Sequence, residues 1–169
     1  MLEGANQSTG RSTERLEITG PDRTSPGEDR RRELLARLSA MSLTGFGRRL
    51  RTDRRTATEA TAVARAWLQL IDAGQRAVSW HAAASALRAT IGTRDWDAAL
   101  RSARDPLGQC RSRKLLRRDT VEAFPGVPPG PYAVVHFESV FEGRPGVVET
   151  VTVRRDVSGR WRPVAYFIR

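Results

Sequence analysis

What most limits the folds open to this chain is a change of hydrophobic period at Gly108. From Thr58 up to that glycine, apolar residues recur at helical spacing; beyond it they alternate every second residue. A chain that places helices first and turn-linked strands second builds an antiparallel meander with the helices on one sheet face. The expected fold is therefore α+β: three helices packed on a four-stranded antiparallel sheet that curves around the first helix.

The first helix carries Ala60, Val63, Ala64, Trp67, Leu70 and Ile71 on one stripe, with Arg65 and Gln69 opposite. Thr58 is its expected N-cap, Glu59 suits the positive end of the helix dipole, and Gly74 suits the left-handed residue past its end. A second helix is expected over 75–91, burying Val78, Ala82, Leu87 and Ile91, with Trp80 and Ala84 at its margin. Gly92 closes it. A third, capped by Thr93, buries Trp96, Leu100 and Ala103 and stops at Pro106 and Gly108.

The expected strands span 109–124, 132–141, 147–153 and 161–168. In the first, Leu115, Leu116 and Val121 are the candidate core contacts, with a bulge near Arg118 and Asp119. In the second, Ala133, Val135, Phe137, Ser139 and Phe141 share one face, while Tyr132, Val134, His136, Glu138 and Val140 share the other.

Residues 1–55 read as an arm outside this domain, which occupies 56–169. Residues 1–27 are rich in Gly, Pro, Ser and Thr and read as disordered. A short helix is expected within 28–44, where Leu34, Leu35, Leu38 and Met41 recur at helical spacing. A basic run follows, with Arg48, Arg49, Arg51, Arg54 and Arg55. Two readings stay open: a surface for an anionic membrane, polyanion or partner, or a linker with solvated arginines.

The formal net charge is +10, and Lys114 is the one lysine among 29 basic residues. The excess is spread along the chain rather than gathered in one arm, so nonspecific attraction to polyanions is expected but not specific readout. No apolar run reaches the roughly 18–20 residues of a membrane span. The polar N-terminus lacks the apolar core of a secretory signal, so the expected location is cytoplasmic, or the envelope if the start site is misassigned. Cys110 stands alone, which rules out an intrachain disulfide and a cysteine metal cluster.

Several segments carry a family resemblance over roughly residues 60–169. They are the AWLQLIDAG helix end, SWHAA, the RDWDAAL helix, PLG, and the terminal VETVT and GRWRPVAYFIR strands. Together they resemble the bacterial domain-of-unknown-function 4019 family. The resemblance implies no transferable activity. By analogy it implies a cone-like fold of the cystatin-like or nuclear transport factor 2-like kind, and many relatives of that family are small exported or envelope proteins.

No phosphate-binding glycine loop, nucleophile elbow or zinc-binding spacing is present. The candidate chemistry rests on His136 beside Glu138, with Glu149 across the ladder, where an imidazole next to a carboxylate serves as a general base. The other reading places His136 and Glu138 toward solvent. Trp67, Trp80, His81, Tyr132 and Tyr166 are the candidate ligand-pocket residues. Neither a metal nor a cofactor is expected. Non-catalytic binding of a partner or small ligand is the leading expectation; a cone-fold enzyme and a polyanion- or membrane-associated protein are the alternatives.

Overall fold

In the computed structural model, residues 54–122 and 130–169 are described. Of the expected arm over 1–55, residues 1–53, with the expected helix at 28–44 and Arg48, Arg49 and Arg51, lie outside them, as does the 123–129 part of the loop before the second strand; Arg54 and Arg55 are instead the first residues of a helix. The described elements are α1 (Arg54–Asp72), α2 (Arg76–Ala82), α3 (Ser85–Thr90), α4 (Thr93–Arg104), a 3₁₀ turn at Asp105–Leu107, β1 (Cys110–Val121), β2 (Tyr132–Phe141), β3 (Arg144–Arg155) and β4 (Trp161–Ile168). The strands form one antiparallel meander in the order β1-β2-β3-β4, with the helices against one face of the curved sheet.

Helix α1 lies across all four strands. It buries Ala57, Ala60, Ala64, Trp67, Leu68 and Ile71. The three alanines let the helix backbone approach the sheet, and Trp67 fills the space beyond them against the core that holds Val135, Phe137 and Val151. Thr58 is not the N-cap. It sits inside the helix, and its hydroxyl donates to the Arg54 carbonyl at 2.8 Å. At the other end Gly74 has φ of +70° and so ends the helix.

The expected helix over 75–91 is two helices. Ala83 and Ala84 are extended, with ψ of 162° and 152°. The Ala84 amide donates to the Pro163 carbonyl of β4 at 2.8 Å, so a tertiary partner replaces the lost helical bond. The break shifts the phase of the buried stripe. Val78 is 50% exposed while Ser79 is buried. In α4 the cap is Gly92 rather than Thr93, and Ala103 is exposed. Arg104 takes the core position one turn beyond Leu100.

Strands β2 and β4 span the expected residues, whereas β3 is longer by residues at both ends. Edge strand β1 departs most from expectation. Its register shifts fall between Cys110 and Ser112 and between Leu115 and Arg117, not at Arg118 and Asp119. Leu115 and Leu116 are exposed, at 36% and 57%, so of the three candidate contacts only Val121 is buried. An edge strand with bulges and arginines is poorly disposed to pair with a second chain.

Candidate functional site

Two charged features stand out, one inside the domain and one at its surface. The inner one gathers Asp72 at the end of α1, Arg104 at the end of α4, Arg113 on β1, Ser139 on β2, Glu149 on β3 and Tyr166 on β4. Glu149 is fully buried and accepts from Arg104 Nη1 at 2.9 Å, Arg113 Nε at 2.7 Å, the Ser139 hydroxyl at 2.5 Å and the Tyr166 hydroxyl at 2.7 Å. Asp72 takes Arg113 through two bonds, at 2.7 and 3.1 Å, and takes Arg104 through Nη2. Two guanidiniums thus meet two carboxylates and the cluster is charge-neutral.

Register explains why these groups meet. Arg113 opposes Ser139, and Glu149 opposes both Phe137 and Ile168, so all face α1. Burial alone would raise the Asp72 carboxyl, but the Arg113 hydrogen bond and charge, and then Arg104, hold it below its ordinary value. Burial, followed by the charge of Glu149, pushes the Tyr166 hydroxyl well above its usual range. Tyr166 also packs edge-on against Trp67 at 5.7 Å and Trp96 at 6.5 Å, which ties the network to the aromatic core. Every strong donor and acceptor here is matched, which suits a clamp between helices and sheet.

A cleft of about 350 Å³ opens beside this clamp, lined among others by Asp72, Arg76, Arg104, Cys110 and Glu142. Burial raises the Cys110 thiol, so this cysteine is kept as the weakly nucleophilic thiol. The lining charges are already engaged: Arg76 with Asp105 and with Asp97 outside the lining, and Glu142 with the Gln109 amide and with Arg111 outside the lining.

The surface feature is a second cleft, of about 480 Å³, between the α2–α3 junction and the β3–β4 turn. His81, Ser85, Arg88, Arg154, Asp156 and Arg162 line it, together with small apolar residues. Aromatic faces support two of its guanidiniums: Arg88 lies 5.8 Å from the Trp80 ring, and Arg154 lies 5.7 Å from that of Tyr132. Arg88 also donates to the His81 carbonyl at 3.2 Å. Asp156 supplies the one carboxylate of the lining, and its donors already surround it. Its Oδ1 accepts from the Ser158 amide and hydroxyl and the Arg160 amide, and its Oδ2 accepts from Arg162 at 3.0 Å. These bonds, led by the Ser158 hydroxyl, hold its carboxyl far below the usual range. Three arginines therefore face one saturated acid.

Comparison with known proteins adds the family. A model for a protein family of unknown function, DUF4019, matches residues 63–166, from within α1 almost to the end of β4. The chain belongs to the DUF4019 family. No curated protein and no solved structure matches it.

Within this DUF4019 domain the residues expected to act together fall into three places. His136 and Glu149 lie on opposite sheet faces, because His136 pairs with Thr150 and Phe137 with Glu149. The expected juxtaposition across the ladder is therefore corrected by the register. His136 is buried, with Nδ1 3.0 Å from the Thr150 hydroxyl, while Glu138 on the same face is exposed. Burial, with Arg117 next, lowers the imidazole pKa.

Trp67 and Tyr166 join the core and the clamp; Trp67 Nε1 donates to the Ser79 carbonyl at 2.7 Å. Trp80, His81 and Tyr132 sit at the arginine cleft as its wall or as supports for its guanidiniums. Arg54 and Arg55 begin α1 and are exposed, with Arg55 paired to Glu59. Among the described residues no group of three or more His, Cys, Asp or Glu is placed to hold a metal ion, and no helix is long and apolar enough to cross a membrane.

Sequence reasoning missed Asp72, Arg104, Arg113 and Ser139. Two signals were present. Arg104 continues the spacing of Trp96 and Leu100, and Glu149 holds the inward parity of Val147, Val151 and Val153. A charged residue at a core position requires a partner.

Proposed function

We propose that this domain is a non-catalytic binding module that takes a small anionic ligand bearing a phosphate group in the arginine-lined cleft. One observation carries the reading: Arg88, Arg154 and Arg162 line a single concavity whose one carboxylate, Asp156, is already surrounded by donors. Guanidinium groups present planar arrays of N–H donors that match phosphate oxygens, and aromatic support limits the rotamer freedom lost on binding. At about 480 Å³ the cleft falls within the size range of small-ligand sites.

The non-catalytic part rests on the lining. No side-chain hydrogen bond joins Ser85 to His81, so no activated nucleophile is assembled in this cleft among the described residues. The enzymatic alternative through His136 draws less support, because Glu149 faces the other side of the sheet and Glu138 is solvent-exposed.

The test is a two-dimensional NMR titration of the full chain with pyrophosphate at low salt. Saturable shifts confined to His81, Arg88, Ser85 and Arg162 are expected, with Gly74 and Gly108 at the other cleft unmoved. Shifts centred on Gly74 and Gly108 would move the site and overturn the proposal. Weak, non-saturating shifts at arginines over the whole surface would reduce it to general polyanion attraction.

A further inference from the structure

The sheet face turned away from α1 has an apolar cluster of its own. Val121, Tyr132, Val134 and Val164, from β1, β2 and β4, are 6%, 2%, 3% and 5% exposed. His136, Thr150 and Thr152 on the same face are also buried, and the Thr152 hydroxyl is shut away from solvent without a hydrogen-bond partner. An antiparallel sheet with one open face keeps that face solvated and its side chains partly exposed. Among the described residues, Ala84 is the one partly buried apolar residue packed on this cluster from outside the sheet, and the main strand contact of α3 is with β4. The Val121–Tyr132 end of this face is covered, while Glu138 and Val140 further along it are exposed. Among the described residues Arg154 shields the Tyr132 ring, and the helices do not account for the rest of the cover.

We propose that residues 28–44 of this same chain dock on the outer sheet face through Leu34, Leu35, Leu38 and Met41. The spacing of these four residues puts them on one stripe of a helix, opposite a side rich in arginine and acidic residues. The entry point of α1 supports this occupant. Arg118 donates to the Thr61 hydroxyl and Arg65 to the Arg113 carbonyl, so α1 begins at the Val121 end of β1 and runs toward its Cys110 end.

The chain preceding Arg54 therefore reaches the domain at the rim where Val121 and Tyr132 pair. Residues 45–53, extended, reach roughly 30 Å, against a layer spacing of about 10 Å. A helix over 28–44 would be about 25 Å long, enough to lie diagonally across four strands. This inference does not depend on the ligand reading of the arginine cleft.

The test uses the full chain with Leu34→Asp/Leu38→Asp, and reads methyl relaxation caused by a soluble gadolinium chelate. In the wild-type protein, Val134 and Val164 should be nearly as protected as Val151 of the inner core. In the variant, their relaxation should rise several-fold while Val151 stays unchanged. Unchanged Val134 and Val164 would overturn the proposal, as would a wild-type dimer in sedimentation whose dissociation exposes them.

Should the variant lose its fold, oxidation of a Cys110→Ser background decides the matter. Leu38→Cys combined with Val134→Cys should close an intrachain disulfide, and Leu38→Cys combined with Val151→Cys should not. Failure of the first pair, or equal closure of both, refutes the docking.

Discussion

Replacing Glu149 with Gln keeps the shape of the clamp and removes one of its two negative charges. Arg104 and Arg113, with side chains 8% and 6% exposed, would then share the single charge of Asp72. Breaking a buried ion pair by removing one partner costs about 3–5 kcal/mol, because the stranded charge stays buried. Each Glu149 oxygen accepts from two donors, and Gln retains a carbonyl oxygen that can keep two of the four, so the expected loss lies near the lower end, about 3 kcal/mol. For a domain of this size that corresponds to a fall in Tm on the order of 10 °C or more.

Urea denaturation followed by tryptophan fluorescence measures the change, read as a lower midpoint at unchanged slope. A companion variant separates charge from packing. Arg113→Met added to Glu149→Gln restores neutrality and should recover part of the loss, giving a coupling energy on the order of 1–3 kcal/mol. A loss below about 1 kcal/mol for Glu149→Gln, or no coupling to Arg113, would refute the reasoning that the charges act as one buried unit.

Two further outcomes follow from local geometry and titration. Gly74 and Gly108 both have positive φ, but a Cβ at Gly74 meets open space whereas one at Gly108 comes 2.9 Å from the Glu142 carboxylate. Gly74→Ala should cost about 1 kcal/mol in thermal or urea unfolding, and Gly108→Ala should cost clearly more; equal losses would contradict this. His136 has its folded pKa lowered by burial, so it contributes stability that is present above its unfolded value of about 6.5 and is lost as pH falls through the folded value. The Tm of the wild-type protein should therefore fall toward that of His136→Asn between pH 7.5 and 5, and a constant gap would contradict the burial argument.

How much of this was legible follows from which interactions are local. Alternation of β2 and β4 sets their ends at Tyr132, Phe141, Trp161 and Ile168, because every second side chain must reach one core. The stripe on α1 was legible for the same reason. The α2–α3 break was not, because Ala83 and Ala84 carry no breaker signal and their extended backbone depends on a distant carbonyl, that of Pro163.

The clamp was hidden because its members come from six elements, and arginine on the edge strand looks alike whether it points to water or inward. Arg113 and Lys114 differ only in parity, and the bulges of β1 scramble parity there. The arginine cleft was half visible. Trp80, His81 and Tyr132 stood out as aromatic or titratable residues, but the guanidiniums they accompany come from α3, β3 and β4.

The most direct measurement is isothermal titration of pyrophosphate into the full chain, compared with Arg88→Ala/Arg162→Ala. Hydrogen bonds to charged groups contribute about 1.5–3 kcal/mol each, so the double variant should bind at least roughly tenfold more weakly. Raising salt should weaken the wild-type protein as well. Equal affinities in the two proteins, or no saturable heat in the wild type, would contradict the account.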